Sequence, residues 1–396
     1  GGGSATVVPE TVVSPLDGIR AAFPRARVEY ERGAVVATGV GALDLSSMTN
    51  PVTGAPGAHV RFLDAEGVEI YAEDRFASEL VFIGGDAPIG ATATIEITTS
   101  YVPEATGPTL LGVAGLGEST LSVDGTEVAT LRGTATTNDV AAKLFAPPSA
   151  STAVDLVAGR SVHLAVAFRP VRDEKLTDAL ALTVGIEPDL SSSDDDLERA
   201  VAAARGADVA VVVVGTNAQV ESEGYDRSDL DLPGRQDDLV RAVAAVNPRT
   251  VVIVNSGSPV LMPWRDDVAA ILVTYFGGQE YGSAVGDMLS GFAEPGGRLP
   301  TTWPAALGDV PVLDVVPEDG VLRYDEGIHI GYRAWLRAGT TPAFAFGAGG
   351  GYTSWVVSDP VAQAEDGGWR LSIPVRNSGD RPGKCVVQVY AERERS

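Results

Sequence analysis

The residues best suited to chemistry lie in a short acidic loop, Glu221 to Arg227, which directly follows an apolar run at 209–215. That run is unbroken and rich in β-branched residues, so it predicts a strand buried on both faces of a parallel sheet. Ligands of open α/β sheets bind beyond the carboxyl ends of such strands. The loop therefore lies where a site is expected, although charged residues after a strand more often form only a solvated turn.

The loop contains two glutamates, Glu221 and Glu223. Two carboxylates in one site shift each other's pKa, so one can act as an acid while the other acts as a nucleophile. Glycosidases depend on such a pair, because one carboxyl group protonates the leaving oxygen and the other attacks or stabilises the sugar. The two glutamates are two positions apart, so in an extended loop both side chains point the same way. On spacing alone, either could be catalytic.

Other site chemistries have less support in the sequence. Residues 214–217 follow a strand, but neither the G-x-G-x-x-G fingerprint nor a P-loop motif is present. Residues 255–259 contain serines but lack the G-x-S-x-G pattern, so this segment is interpreted as a polar turn. The three histidines are scattered and Cys385 is the single cysteine. We therefore expect no metal centre, no intrachain disulfide and no cofactor.

Charge and hydropathy limit the class of protein. The 396 residues carry a net charge of −24 at pH 7, and 44% of them are hydrophobic. An acidic balance of this size disfavours nucleic acids and anionic membranes as partners and favours neutral or cationic substrates. No apolar run approaches the length of a membrane helix, and no signal peptide is visible. We expect a soluble protein of two or three domains, and the sequence leaves open whether it is cytoplasmic or secreted.

Two parts of the chain have the pattern of an α/β domain. Ser14 before Pro15 predicts a helix start, since serine is a preferred N-cap and proline suits the first helical position. Residues 28–30 predict a short strand. Further along, strands are predicted at 209–214, 251–254 and 270–273, and helices from 193, at 234–246 and at about 281–289. Strands and helices that alternate at this spacing predict a parallel sheet wound with helices.

Between these parts, short alternating runs replace the helical periodicity. Strands are predicted at 59–63, 93–98, 119–123 and 162–168. Asp124-Gly125 predicts a two-residue hairpin turn of type I′. This stretch is typical of an all-β sandwich, with a loop at 146–149. Residues 352–396 alternate again, at 369–375 and 386–390, and predict the first strands of a second sandwich.

The simplest organisation is therefore discontinuous. Residues 1–45 and 189–345 form one α/β domain, residues 57–188 form a β-sandwich inserted into it, and residues 352–396 begin a further β domain. Insertions are tolerated at exposed loops whose ends lie close together. Residues 1–8 do not supply the strand that should precede the first helix, so we expect a missing piece upstream.

Several segments, in order along the chain, make it similar to glycoside hydrolase family 3, of the β-glucosidase type. They read GGGSA…SPLDGIRAAF, VVVVGTNAQVESEGYDRSDLDLPGRQ, VNSGSPVLMPW, YFGGQEYGSAVGDMLSG, GGRLPTTWP, YDEGIHIGYRAW, AFAFGAGGGYTSW and VRNSGDRPGKCVVQVY. They cover nearly all of the chain outside the insertion. The resemblance implies an (α/β)6 sandwich domain followed by a truncated fibronectin-type-III-like domain. The insertion resembles the protective-antigen-like domain of some members.

The resemblance also assigns roles to residues. The general acid/base of the family falls on Glu223, and we expect Asp226 and Arg227 to pair and hold the loop. Glu280 matches a second familiar acidic position, which we interpret as structural because a carboxylate at a helix start meets the helix dipole favourably. Phe145 lies where members with this insertion present an aromatic ring to the leaving group. The alternative for Phe145 is a place in the core of the β-sandwich.

One part of the family pattern is absent from this sequence. The catalytic nucleophile of the family is an aspartate in a Ser-Asp-Trp-like motif on a preceding (β/α)8 barrel, and no such motif occurs here. The resemblance thus implies part of a retaining β-glucosidase that hydrolyses terminal non-reducing β-D-glucosyl residues. This chain would supply the acid/base, and the missing barrel would supply the nucleophile. The alternatives are a non-catalytic carbohydrate-binding or interaction fragment, or a β-xylosidase or exo-glucanase of the same family.

Overall fold

The computed structural model describes residues 9, 11–36, 39–134, 143–144, 146–171, 179–190, 193–217, 220–221, 227, 229–313 and 317–392. Its helices are α1 (Pro15–Ala22), α2 (Ser193–Gly206), α3 (Gln236–Val246), α4 (Tyr281–Ser290) and α5 (Tyr332–Ala338). Within these ranges, no helix combines the length and the apolar character needed to cross a membrane. The chain is a mixed, sheet-rich α and β structure, as the sequence predicts in outline.

The first helix begins where the sequence predicts and is held from far along the chain. The hydroxyl of Ser14 caps α1 by accepting a hydrogen bond from the backbone N–H of Asp17, at 3.2 Å. Helix α1 packs on α4, and a Cβ atom added to Gly18 would overlap the backbone of Gly282. This close approach requires glycine on both helices. It joins the beginning of the chain to the part that follows residue 189.

Two antiparallel sheets occupy the middle of the chain. Their strands are β1 (Gly41–Ala42), β2 (Met48–Thr49), β3 (Ala58–Leu63), β4 (Glu69–Arg75), β5 (Glu79–Ile83), β6 (Thr94–Tyr101), β7 (Gly107–Gly115), β8 (Gly117–Val123), β9 (Thr126–Gly133), β10 (Ser149–Leu156), β11 (Val162–Pro170) and β12 (Ala179–Glu187). One sheet has the order β1-β12-β7-β10, with β5 also paired to β12; the other has the order β4-β3-β6-β11-β8-β9, with β2 also paired to β6. The strands predicted at 59–63, 93–98, 119–123 and 162–168 are confirmed.

Both sheets bury side chains in one hydrophobic cluster. Phe82 and Leu182 enter it from the first sheet, and Phe62 and Phe168 enter it from the second. The rings of Phe62 and Phe82 meet almost at right angles, with centroids 5.3 Å apart, which is a favourable aromatic geometry. Each fully buried side chain of this size stabilises the fold by about 1.5–3 kcal/mol. The apolar residues of the alternating strands thus lie on the inner faces of the two sheets, where they cover each other.

The predicted hairpin turn is confirmed. Asp124 and Gly125 have φ angles of 49° and 78°, and Val123 pairs with Thr126 across the turn. A type I′ turn needs positive φ at both central residues, and Asp-Gly is one of the pairs that adopt it readily. This turn fixes the register between β8 and β9.

The third sheet is parallel, as the spacing predicts. Its strands are β13 (Ala210–Gly215), β14 (Thr250–Asn255) and β15 (Ala270–Val273), in the order β13-β14-β15. Val252 and Val254 of the central strand are completely buried, and α2 and α3 add apolar side chains to the same core. The predicted burial of the first strand on both faces is wrong, because Val213 of β13, which lies at the edge of the sheet, is 42% exposed.

Two predicted strands are wrong. Residues 28–30 form no strand; the side chains of Arg27 and Glu29 pair with each other at 2.9 Å, and Tyr30 is exposed. In the last part of the chain, the strands are β16 (Trp355–Val357), β17 (Val361–Glu365), β18 (Gly368–Ser372) and β19 (Val375–Asn377). Strand β16 pairs with β19 and β17 pairs with β18, whereas residues 386–390 form no strand. In both cases an alternating pattern lacks a neighbouring strand among the described residues.

Candidate active site

The turns that follow the three parallel strands meet at one edge of the sheet. The backbone N–H of Thr216, after β13, donates to the carbonyl of Asn255 at the end of β14, at 3.0 Å. The N–H of Thr274, after β15, donates to the carbonyl of Val254, also at 3.0 Å. Parallel strands end at the same edge, and this is the edge at which α/β sheets usually bind ligands. The acidic loop singled out in the sequence begins at this edge.

Glu221 joins two of these turns. Its carboxylate accepts hydrogen bonds from the backbone N–H of Gly257 at 2.7 Å and from the hydroxyl of Thr216 at 3.0 Å. It also accepts from the N–H of Ser258 at 3.2 Å and from the Ser258 hydroxyl. The side chain is only 12% exposed. Glu221 therefore connects the turn after β13 to the turn after β14.

Arg227 completes this cluster from the other side of residues 222–226. Its guanidinium donates to the carboxylate of Glu221 at 3.1 Å and to the carbonyl of Asp231 at 2.9 Å. Two longer contacts of 3.4 Å reach the Ser258 hydroxyl and the Pro259 carbonyl. The Arg227 side chain is 11% exposed. A largely buried ion pair thus links the residues on either side of the segment that contains Glu223.

The surroundings of Glu221 make it a stable anion. Burial raises the pKa of Glu221. Hydrogen bonds from Ser258, Gly257 and Thr216 and the positive charge of Arg227 lower the pKa, and together they outweigh the effect of burial. The resulting pKa lies below the ordinary value of a glutamate. A general acid instead needs a pKa close to the operating pH. Glu221 has the environment of a structural carboxylate.

The structure describes only some of the other residues that the sequence analysis singled out. Glu223, Phe145 and Asp226 lie outside the described residues. Glu280 is the N-cap residue of α4, which confirms its predicted position at a helix start; it is exposed and accepts a hydrogen bond from the Ser283 hydroxyl at 3.0 Å. Of the loop residues named from the sequence, the structure brings Glu221 and Arg227 together.

The segment interpreted as a polar turn, residues 255–259, has that structure. The hydroxyl of Ser256 is turned inward and donates to the carbonyl of Ser258 at 2.8 Å. The hydroxyl of Ser258 donates to the carboxylate of Glu221. Sequence reasoning missed Thr216 and Ser258 as partners of Glu221. The available signal was their position, since both are hydroxyl residues close after neighbouring parallel strands.

A second feature of this edge was not visible in the sequence. Tyr275, two residues after the end of β15, has a φ angle of 53°, which is a strained conformation for a bulky residue. Burial raises the pKa of its hydroxyl, and the nearby indole N–H of Trp303 lowers it in part, although the two groups do not meet in hydrogen-bonding geometry. Neither the Tyr275 hydroxyl nor the Trp303 indole N–H has a partner in hydrogen-bonding geometry within the described part of the chain. Buried polar groups without partners are rare and mark a cost in stability.

Over the described ranges, no group of three or more His, Cys, Asp or Glu side chains is arranged to hold a metal ion. Among the described residues, the sheet edge presents the carboxylate of Glu221, the hydroxyls of Thr216 and Ser258 and the guanidinium of Arg227.

Comparison with known sequences agrees with this description. Residues 1–332 match the family model of the glycosyl hydrolase family 3 C-terminal domain. The chain is 35% identical over 407 aligned residues to a β-glucosidase of Rhizobium radiobacter, covering 98% of this chain and 48% of that protein. It is 32% identical to the probable β-glucosidase K of Emericella nidulans, with the same two coverages. The chain therefore spans about half the length of these relatives.

Solved structures with similar folds are also β-glucosidases. The β-glucosidase from Kluyveromyces marxianus in complex with glucose superposes with a TM-score of 0.83 at 27% identity, covering 96% of this chain and 47% of that one. DesR, a β-glucosidase from Streptomyces venezuelae in complex with D-glucose, gives a TM-score of 0.56 at 27% identity, covering 96% of this chain and 43% of that one. The resemblance found in the sequence motifs is confirmed, and the chain belongs to glycoside hydrolase family 3, of which it carries the C-terminal domain.

Proposed function

We propose that this chain is part of a retaining β-glucosidase that hydrolyses terminal non-reducing β-D-glucosyl residues, and that it supplies the general acid/base. Family membership and relatives named β-glucosidases support the reaction. One observation supports the choice between the two glutamates. The carboxylate of Glu221 already accepts hydrogen bonds from Gly257, Ser258, Thr216 and Arg227. An anion held in this way is a poor proton donor. Of the two loop glutamates, Glu223 is the one to which the family resemblance gives the acid/base role, and the environment of Glu221 agrees with that choice.

In this proposal, Glu223 performs two proton transfers. Its protonated carboxyl group first donates to the glycosidic oxygen as the bond to the leaving group breaks. The same group, now a carboxylate, then takes a proton from the water that releases glucose from the glycosyl-enzyme. The nucleophile is an aspartate of the (β/α)8 barrel that the family resemblance implies, so the barrel is the principal partner of this chain. Hydrolysis of this kind uses no cofactor.

We further propose the domain organisation that the sequence suggests. Residues 1–45 and 189–345 form a discontinuous domain of the (α/β)6 sandwich type. The packing of α1 on α4 supports this, as does the ion pair between Arg32 and the buried Asp196 on α2. Residues 57–188 form an inserted β-sandwich of the protective-antigen-like type, supported by the core that its two sheets share. Residues 352–396 begin a fibronectin-type-III-like domain.

We also propose that Phe145 of the insertion contacts the leaving-group side of the substrate. The family resemblance supports this position, and residues 146–148 form a loop that leads into β10, one residue shorter than the loop predicted at 146–149. An aromatic face packs well against the apolar face of a sugar or of another ring. The alternative is that Phe145 belongs to the core of the β-sandwich.

The acid/base assignment is tested by Glu223→Ala in the full-length enzyme, in which the barrel precedes this chain. We expect kcat to fall by about 10²–10⁴-fold on glycosides with poor leaving groups, because these need protonation. Dinitrophenyl β-glucoside, whose leaving group needs little protonation, should be affected far less. Added azide should restore turnover and yield β-glucosyl azide. Glu280→Ala is the matched control, since this carboxylate is exposed at a helix start.

Two results would contradict the proposal. The first is a Glu223→Ala enzyme close to wild type while Glu221→Ala or Glu280→Ala shows the selective loss and the azide rescue. The second is hydrolysis of an aryl glucoside by the isolated chain that disappears in Glu223→Gln, because the isolated chain should lack the nucleophile. Parallel assays on p-nitrophenyl β-glucoside and β-xyloside distinguish a β-glucosidase from a β-xylosidase of the same family. Sugar binding without hydrolysis by the full-length protein would favour the non-catalytic alternative.

A further inference from the structure

The inserted β-sandwich carries a groove at one edge, where strands β4 and β5 meet. It is lined by residues 73–77 and 79–81, together with Leu45 and Pro9. Strand β4 is the last strand of its sheet, and β5 pairs only with β12 among the described residues. The volume of the groove is about 740 Å³, within the range of about 300–1,000 Å³ that small-molecule sites occupy.

The walls of this groove are held by contacts with the rest of the sandwich. At the bend between β4 and β5, the hydroxyl of the buried Ser78 accepts a hydrogen bond from the backbone N–H of Leu43 at 2.8 Å. The guanidinium of Arg75 donates to Glu73 at 2.7 Å and lies over the ring of the buried Phe82, 5.1 Å from its centroid. A site held in this way is formed before a ligand arrives, which lowers the entropic cost of binding.

The groove presents an aromatic ring to solvent. Phe76 is 61% exposed at the bend, whereas Phe82 of the following strand is completely buried. The buried Leu80 and the side chains of Leu45 and Ala77 add further apolar residues to the lining. A single exposed apolar side chain is ordinary, but a ring beside a preformed and partly apolar groove offers a ligand a surface to cover.

The charges of the lining are largely balanced by neighbouring side chains. Glu73 is paired with Arg75 at 2.7 Å. Asp74 accepts a hydrogen bond from the amide of Asn50 at 2.7 Å and lies 2.8 Å from Nδ1 of His59; the contacts with His59 and Asn50 hold its pKa below the usual value. Carboxylates and guanidinium groups have several hydrogen-bonding positions each, and one contact does not use them all. Hydroxyl groups, which both donate and accept, suit such a rim without requiring a charged ligand.

We infer that this groove binds a neutral, polyhydroxylated ligand, a segment of a β-glucan chain, whose apolar C–H face covers the ring of Phe76. The hydroxyl groups of the glucan exchange hydrogen bonds with the charged groups of the rim. The lining contains three carboxylate residues and one arginine, which disfavours anionic polysaccharides. Recognition of a polyol follows from the groove itself, whereas the choice of a glucan as that polyol rests on the proposed function.

The test is native electrophoresis of the full-length enzyme in gels that contain barley β-glucan, with glucan-free gels as the reference for mobility. A long glucan has far more internal segments than chain ends, so retardation reports binding of internal segments rather than of the terminal residue that hydrolysis requires. We expect the wild type to be retarded and Phe76→Ala to need about tenfold more glucan for the same retardation, because the ring is the main apolar contact. Phe76→Ala should keep the melting temperature and the hydrolysis of p-nitrophenyl β-glucoside, since this side chain is exposed.

The matched control is Phe292→Ala. Phe292 is 86% exposed and follows the end of α4, so it is an exposed phenylalanine that does not line the groove. Its substitution should leave the retardation unchanged. A second variant, Glu79→Ala, removes an exposed carboxylate from the lining and should weaken retardation about threefold, the size expected for one hydrogen bond. Equal retardation of the wild type and Phe76→Ala, or the same loss in Phe292→Ala, would overturn the inference.

The remaining outcomes separate this inference from its alternatives. Binding of the peptide tetralysine that salt and Glu79→Ala both weaken, without retardation by the glucan, would overturn the inference in favour of a cationic ligand. Retardation that Phe76→Ala weakens, in an enzyme that hydrolyses no β-glucoside, would support the groove and remove the proposed function. Normal hydrolysis of β-glucosides by an enzyme that the glucan does not retard would refute the groove alone.

Discussion

Replacing Glu221 with glutamine should destabilise the folded chain, and the loss should depend on pH. The amide oxygen of Glu221→Gln can keep the contacts of Oε1, which are made by Ser258 and Arg227. The amide nitrogen replaces Oε2, which accepts from the N–H of Gly257 at 2.7 Å and from the Thr216 hydroxyl at 3.0 Å. The threonine hydroxyl can rotate and accept from the amide, but the backbone N–H loses its acceptor.

The magnitude follows from these contacts. A lost acceptor costs about 1 kcal/mol here, at the low end of the usual range, because Gly257 is exposed. Arg227, 11% exposed, then lacks its carboxylate, which adds about 1–2 kcal/mol and stays below the loss found for fully buried pairs. We therefore expect the free energy of unfolding of Glu221→Gln to be lower than that of the wild type by about 2–3 kcal/mol at pH 7.

The pH dependence has a definite sign. In the folded chain the pKa of Glu221 is below its ordinary value of 4.5, so folding favours the carboxylate. This contribution to stability is complete above pH 4.5 and disappears as the pH falls through the lower native pKa. The wild type should therefore lose stability more steeply than Glu221→Gln below that pH, and the difference between them should shrink.

Urea unfolding of both proteins, followed by tryptophan fluorescence from pH 7 down to about pH 3.5, measures this difference at each pH. Asp196→Asn serves as the control, because Asp196 is a buried carboxylate on α2 that pairs with Arg32 and Arg199. A difference at pH 7 below about 0.5 kcal/mol, or one that is the same at every pH, would show that Glu221 is not held as an anion by these donors.

Three further changes test other parts of the structure. Tyr275→Phe should leave the free energy of unfolding unchanged or raise it by up to about 1 kcal/mol, since it removes a hydroxyl that lacks a partner; a loss above that size in urea unfolding would indicate a bond to that hydroxyl. Gly18→Ala should lower the melting temperature clearly, because its methyl group would overlap the backbone of Gly282. The control is Gly67→Ala at an exposed position, where only the positive φ opposes alanine, so the melting temperature should fall less. Phe145→Ala in the full-length enzyme should raise KM for glucosides with large aglycones, with little effect on small aryl glucosides or on the melting temperature; equal losses on both substrates or a clear drop in that temperature would place Phe145 in the core.

Most of the framework could be predicted from local patterns. The parallel strands are unbroken apolar runs, and the antiparallel strands alternate, because their surroundings impose these patterns directly on the sequence. The N-cap at Ser14 and the turn at Asp124-Gly125 depend on the backbone preferences of one or two residues, and both were predicted correctly.

The wrong predictions share one physical cause. A strand needs a neighbour that satisfies its backbone hydrogen bonds, and alternation of side chains does not supply one. Residues 28–30 and 386–390 alternate but pair with no described strand. Gln388 instead uses its side-chain amide to donate to the carbonyl of Gly347, at 2.9 Å. The sequence analysis groups residues 1–45 with 189–345, but it does not predict the particular contact between α1 and α4, which joins segments separated by the whole insertion.

The distinction between the two loop glutamates depends on tertiary contacts in the same way. Spacing alone treats Glu221 and Glu223 alike, yet the donors that hold Glu221 come from Gly257 and Ser258, 36 and 37 positions further along. In a parallel sheet, the loop after one strand lies beside the turn after its neighbour. A turn of small residues after the neighbouring strand can therefore direct its backbone N–H groups at such a carboxylate and hold it as an anion. In a sequence, this turn is the feature to look for. Asn255-Ser256-Gly257-Ser258 is such a turn, and in this chain it selects which glutamate has a structural role.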